Sequence, residues 1–369
     1  MHIPFVDLKA QYLSIKNEID TAIANVIGET AFIGGKYVKE FEQNFANLYG
    51  VKHCISCANG TDSLYIIMKM LGIKEGDEVI TAANSWISSS ETISQTGATP
   101  VFIDVHPDYY SMDETLLESL ITERTKAVVV VHLQGQMCNI EVIKSICDKY
   151  KISLIEDCAQ SHFSELNGKK AGTFGIAGSF SFYPSKNLGA YGDAGCIITN
   201  DDHFAQKCRM YANHGSLKKN EHQMEGINSR LDGLQAAILN AKLPFILNWT
   251  EKRIKNAQLY HNALADVAEI VLPQIRDNSK HTFHLYIIRA QKRDELLLFL
   301  KDKGIECAIH YPVALPNLAI YNKLKTSKNN YTIATQLQAN MLSLPLYPEL
   351  TNIQIEYIAN CIKAFYSIG

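Results

Sequence analysis

Lys186 follows a short apolar run in which Phe180 and Phe182 alternate with Ser181, and it stands among Pro184, Ser185 and Asn187. A glycine-studded return through Gly189, Gly192 and Gly195 then leads into Cys196-Ile-Ile-Thr199. The pattern reads as two buried strands joined by a tight loop that holds one amine. A surface lysine on a hairpin would look the same locally, so the reading depends on what other strand ends bring. Glu156-Asp157-Cys158-Ala159-Gln160-Ser161-His162 follows the apolar Ile152 to Ile155, and an acid where a buried strand ends is costly unless a cation or metal meets it. Asn59-Gly60-Thr61-Asp62-Ser63 stands between a strand and a helix. It reads either as an anion cradle, with glycine admitting close approach to free helix N–H groups, or as an ordinary N-cap through Thr61 or Asp62. Trp86, in Ala83-Asn84-Ser85-Trp86, is either core or a plate for a flat ring. An amine to condense with an aldehyde, a carboxylate to keep a ring nitrogen protonated, N–H donors for phosphate and an aromatic face form the set that pyridoxal 5'-phosphate requires. A free lysine, with a pKa of about 10.4, is a poor nucleophile near neutrality, so the site must be partly desolvated.

The elements that must position these residues alternate. After an N-terminal arm (Pro4 to Leu8), an amphipathic helix with Ile15, Ile19, Ala22, Ile23 and Val26, and a second helix from Gly34-Gly35 to Gly50, strands and helices take turns. Val51 to Cys57, Glu78 to Thr81, Pro100 to Ile103, Ala127 to His132 and Ile152 to Ile155 read as strands, with helices between them near Leu64 to Leu71, Ser88 to Thr96, Glu114 to Ile121 and Ile140 to Tyr150. This predicts an α/β fold with a mostly parallel central sheet and helices on both faces. Ligands of such sheets gather where strands end. From about Leu243 the pattern changes to a long helix near Ile246 to Ala265, apolar runs at Ile270 to Pro273, His281 to Ile288 and Cys307 to His310, a helix from Arg293 to Gly304 and a last helix ending near Ile362. We expect a large domain over 1–245, including the arm, and a smaller α+β domain over 246–369, with 323–331 as a surface loop.

The totals exclude several classes. With 369 residues, 47% apolar and 20% charged, the chain is long enough for two domains. A formal charge of −3 without charge blocks offers no field for nucleic acid. No apolar run is long enough to span a membrane, and the first residues carry no secretion signal. Nine scattered cysteines point to a reducing cytoplasm rather than a disulfide framework, and Cys54-Ile-Ser-Cys57 reads as two small strand residues rather than as a metal or redox pair.

Six stretches in order resemble the DegT/DnrJ/EryC1/StrS family of sugar aminotransferases, within the aspartate-aminotransferase-like, type I pyridoxal phosphate fold. They are Phe5-Val-Asp-Leu-Lys9, Cys57-Ala-Asn-Gly-Thr-Asp-Ser-Leu64, Glu156-Asp-Cys-Ala-Gln160, Ser181 to Lys186 with Leu188 to Gly195, Gly226 to Asp232 with Gln235-Ala-Ala-Ile238, and His310-Tyr-Pro312. The resemblance implies that Lys186 forms the Schiff base with the cofactor and then shuttles the proton, that Asp157 pairs with the pyridinium, and that Gln160 meets the ring hydroxyl. Gly60, Thr61 and Ser181 would hold the phosphate, Asn228 would complete that pocket from the other subunit of a homodimer, and Trp86 would lie on the ring face. Arg230 would bind the donor's carboxylate, unless it forms a structural ion pair; His310 and Tyr311 would line the substrate pocket, and His162 would either join them or be structural. No metal is implied. The usual His-Leu-Tyr-Gly-Gln reads His132-Leu-Gln134-Gly-Gln136 here, which implies altered substrate contacts.

The implied reaction moves an amino group from L-glutamate, leaving 2-oxoglutarate, through pyridoxamine phosphate to a keto-sugar. That sugar would be a UDP- or dTDP-linked one, with a UDP-linked 3-oxo sugar favoured, in the cytoplasmic synthesis of an amino sugar for surface polysaccharide or lipopolysaccharide. The alternatives are a free keto-sugar acid such as an 8-oxo octulosonate and, in another class, a non-catalytic regulatory or partner-binding protein of the same fold. A deoxygenating dehydratase of the family would carry histidine in place of Lys186, and no G-x-G-x-x-G follows the first strand to support a nicotinamide enzyme.

Overall fold

Alternation of apolar residues on both sides of each strand builds the centre of the molecule. The computed structural model describes residues 1–322, 324 and 331–367, so the expected loop at 323–331 lies outside the described residues except for Leu324 and Tyr331. Seven strands form the main sheet: β1 (His53–Cys57), β2 (Glu78–Ala82), β3 (Thr99–Ile103), β4 (Thr125–Val131), β5 (Ser153–Asp157), β6 (Ala177–Ser181) and β7 (Gly195–Thr199). Their order is β1-β7-β6-β5-β4-β2-β3, and β7 alone runs antiparallel to its neighbours. In β4, Val128 and Val130 enter one apolar core while Ala127 and Val129 enter another, so the strand is buried on both faces. Helix α1 (Gly35–Tyr49) covers the first face and α2 (Gly60–Met70) the second.

Six parallel strands place six chain reversals at one edge of the sheet. The residues after β1, β2, β4, β5 and β6 therefore converge, and β7 starts where the others stop, with Gly195 paired to Cys57 and Ser181. Two glycines make the convergence possible. A Cβ on Gly195 would stand 2.4 Å from the carbonyl carbon of Asn59, and one on Gly60 would stand 2.7 Å from Ser181 Cβ.

A third core lies around a three-stranded sheet of Ile270–Val271, Tyr286–Ala290 and Met341–Leu344. Ile3 belongs to this core: its N–H donates to Gly304 O at 2.8 Å and its carbonyl accepts from Glu306 N–H at 3.0 Å. The arm at the start of the chain is thus clamped to residues some 300 positions later.

Several element readings change. The segment from His281 to Leu285 is irregular, because Thr282 and Leu285 donate to the carbonyls of Gly135 and Gln134 instead of to a strand. Cys307 to His310 contributes one bridge, Ala308 to Ser343. Glu114 to Ile121 is a 3-10 turn followed by one short helix, Leu117–Leu120. The last helix runs from Asn352 to Ser367, past Ile362, because Phe365 and Tyr366 still have the third core to cover.

Candidate active site

Asp157 ends β5, buried, with few partners. Its Oδ2 accepts from Ser89 Oγ at 3.1 Å and its Oδ1 from Ala159 N–H at 3.1 Å. Burial raises the carboxyl pKa, and the Ala159 N–H, the Lys186 amine and the Ser89 hydroxyl oppose that rise. Helix α3 (Ser88–Gln95) carries Ser89, which is braced in turn by Ser85 Oγ at 2.8 Å.

Lys186 lies beyond the end of β6, the parallel neighbour of β5. Its N–H donates to Tyr183 O at 2.8 Å, which fixes the turn. Burial lowers the amine pKa to about 8, and Asp157 resists that lowering. Amine and carboxylate thus sit within electrostatic reach of each other, each partly stripped of water, on adjacent strand ends.

The start of α2 forms the third side. Asn59 is the cap, not Thr61 or Asp62: its side chain accepts the Asp62 N–H at 2.8 Å. Thr61 Oγ1 is 2.7 Å from Ser88 Oγ, Ser63 Oγ donates to Gly60 O at 2.7 Å, and Ser63 also meets Ser179. Capping by Asn59 leaves the other early N–H groups of α2 available beside the space that Gly60 keeps clear of a Cβ. Across that gap, Ser181 Oγ accepts the Tyr183 N–H at 3.3 Å.

Gln160 has its amide orientation set from two sides. Its Oε1 accepts the Gln134 N–H at 2.7 Å and its Nε2 donates to Tyr311 Oη at 2.9 Å. Gln134 reaches it from a left-handed backbone position, φ 63°. Trp86, 59% exposed, stands 5.7 Å from the Tyr311 ring. His310 stacks on Phe5 at 5.7 Å and meets Ser343 Oγ at 2.8 Å, and burial draws its pKa down to about 4.

His162 lies in the core behind this group, and Asn228 and Arg230 face outward. His162 is fully buried between Phe180 and Phe182, and burial and the nearby Lys186 amine draw its pKa down to about 3. Asn228 and Arg230 are exposed, because Ser229 between them turns inward and backbone alternation points its neighbours out. Ser229 Oγ accepts the Ala58 N–H at 3.1 Å and donates to Asp62 at 2.6 Å, so it ties their segment to the start of α2.

Sequence reasoning missed Ser89, Ser229 and the pair His132–Glu156. Glu156, one residue before Asp157, points to the opposite face. It accepts from the Gly172, Phe174 and Gly175 N–H groups at 2.7 Å and lies 3.0 Å from His132 Nε2. Because Cys138 N–H donates to His132 Nδ1 at 3.1 Å, the imidazole proton sits on Nε2 and is donated to Glu156. Cys158 adds a third possible metal ligand within 4.8 Å. Burial holds its thiol protonated and Glu156 is already saturated with donors, so this cluster is built as a buried polar anchor.

The site fits pyridoxal 5'-phosphate. Gly60 and the α2 N-terminus offer an anion cradle, Asp157 is a buried carboxylate short of a cation, and Asn84 Nδ2 and Gln134 Nε2 are buried without a hydrogen-bond partner.

The model of the DegT/DnrJ/EryC1/StrS aminotransferase family matches residues 13–363. The chain is 42% identical over 368 residues to a protein of Geobacillus stearothermophilus named a pleiotropic regulatory protein, with 99% of each covered. It is 39% identical over 356 residues to the UDP-2-acetamido-2-deoxy-3-oxo-D-glucuronate aminotransferase of Pseudomonas aeruginosa, covering 96% of this chain and 98% of the relative. Among solved structures, DesV of S. venezuelae in complex with a ketimine intermediate superposes with a TM-score of 0.96 at 35% identity, covering 99% of this chain and 98% of the other.

Proposed function

The chain belongs to the DegT/DnrJ/EryC1/StrS aminotransferase family, and from that premise we propose that it moves the amino group of L-glutamate to the keto group of a nucleotide-linked sugar, with the keto group at C3. The chain is a sugar aminotransferase that works with pyridoxal 5'-phosphate. When bound, that cofactor supplies an aldehyde to receive an amine and a protonated ring that accepts electrons from the neighbouring carbon.

The observation that carries the reading is the pair at the ends of β5 and β6, a carboxylate and an amine both partly desolvated. At a pKa near 8 a sizeable share of the Lys186 amine is unprotonated close to neutrality, which a nucleophile and a proton carrier both need. The Asp157 carboxylate would stabilise positive charge on the ring nitrogen, and Ser89 and Ala159 would hold it in place. Gly60, Thr61 and Ser181 would bind the phosphate. Gln160 presents its Nε2 toward Tyr311, so its free N–H would suit an anionic ring oxygen.

The UDP-linked 3-oxo substrate draws its support from the name of the Pseudomonas relative. A homodimer with shared sites draws its support from one surface strip: Phe32 and Ile33 are 48% and 58% exposed, they run beside Asp232 and Gly233, and Asn228 and Arg230 stand exposed nearby in sequence. From there the partner's Asn228 would close the phosphate pocket and Arg230 would take the donor's carboxylate. Amino-sugar synthesis in the cytoplasm for a surface polysaccharide is the setting this substrate class fits.

The test is spectral and preparative. Cofactor-loaded protein should lose its visible band when glutamate is added, and a panel of UDP- and dTDP-linked 3-oxo and 4-oxo sugars should restore it for the true acceptor. A Lys186→Ala protein that turned over at the rate of the unsubstituted protein would overturn the assignment.

A further inference from the structure

Lys242, at the end of α4 (Gly233–Lys242), is fully buried. Its Nζ donates to Gly189 O at 2.7 Å and stands 4.3 Å from the centre of the Tyr191 ring. Burial lowers this amine too, to about 8, against the attraction of Glu349. A lysine at a position that methionine could fill at no charge cost implies work for its amine.

Gly189 connects that amine to the active lysine. A Cβ on Gly189 would stand 2.3 Å from Pro184 O and 2.9 Å from Tyr183 O. Tyr183 O in turn accepts the Lys186 N–H. Contact therefore runs without a gap from Lys242 through Gly189 and the Tyr183-Pro184 turn to Lys186. Gln235, seven residues before Lys242 and so on the same side of α4, grips the next part of the loop: its Oε1 accepts the Tyr191 N–H at 2.8 Å and its Nε2 donates to Tyr191 O at 3.4 Å.

We propose that Lys242 and Gln235 form a latch by which α4 holds the loop from Gly189 to Tyr191, and so sets where the Lys186 amine stands. Both are positioning residues, acting on Lys186 through the loop they hold. The inference rests on Lys186 being the reacting amine.

The test follows that amine directly. Full-length protein freed of cofactor is mixed with pyridoxal 5'-phosphate; the Lys186 amine condenses with the aldehyde, water leaves, and borohydride delivers hydride to the carbon of the C=N bond while water protonates the nitrogen. Peptide mapping then measures the rate at which the reduced adduct appears on Lys186, and thermal unfolding is followed on the same samples. Lys242→Met should slow adduct formation about tenfold and Gln235→Leu about threefold, since small displacements of a reacting group cost rate steeply, while Tm stays within a few degrees. Adduct formation at the unsubstituted rate in both variants would overturn the latch. So would a loss that tracks Tm and vanishes on cooling. Gln235 is only partly buried, so its variant decides the question if Lys242→Met does not fold. Absence of any Lys186 adduct in the unsubstituted protein would instead overturn the reading of Lys186 itself.

Discussion

The Lys186 amine gives up much of its hydration and gains a nearby carboxylate that does not fully replace it, which is why its pKa settles at about 8 from an ordinary 10.5. That has a consequence for stability. Below pH 8 both folded and unfolded chains hold the proton, so the cost of burying the charge is present in full. Between pH 8 and 10.5 the folded chain releases the proton first while the unfolded chain keeps it, so stability of the cofactor-free protein rises with pH. A Lys186→Met variant should therefore be more stable than the unsubstituted protein by ~2 kcal/mol below pH 8, and the gap should close as pH approaches 10.5. Urea unfolding of both at a series of pH values checks this; a gap that is constant with pH would mean that packing, not charge, sets it.

At the scale of elements, one strand end serves two purposes because side chains alternate. Asp157 faces the site, and Glu156 faces the loop 172–175 that leads into β6. Three backbone N–H groups and His132 converge on Glu156, so this carboxylate sets the register by which β6 enters the sheet beside β5. Glu156→Gln would turn an acceptor that receives four donors into one that presents an N–H of its own. We expect a loss of about 3 kcal/mol, read as a lower urea midpoint. Gln134 shows the same economy. With its backbone in the left-handed region it aims an N–H at Gln160, and its own amide nitrogen is left buried and unpartnered.

For the whole molecule, Asn228 and Arg230 decide where the site ends. Both face outward. If Asn228 completes the partner's phosphate pocket, Lys186→Ala and Asn228→Asp proteins, each inactive alone, should recover activity when unfolded and refolded together. Random reassortment makes half the dimers hybrid, each with one intact site of two, so about a quarter of full activity is expected. No recovery would place both residues in the same subunit's site. A mass measurement by light scattering on the same preparations tests the dimer independently.

Much of this was legible in the residues. The alternation of strands and helices, the lysine loop, the acid at the end of β5 and the glycine turn that opens α2 follow from local periodicity and from what few residue types can do at a strand end. The sequence could not say which of two adjacent acids faces the site, that Asn59 rather than Thr61 or Asp62 caps α2, or that His162 is sealed between two phenylalanines. Nor could it show that Lys242 lies beneath the loop of Lys186, or that Ile3 is part of a core built from the other end of the chain. Each of these depends on register and on contacts between residues far apart in the chain, and tertiary packing alone brings such residues together.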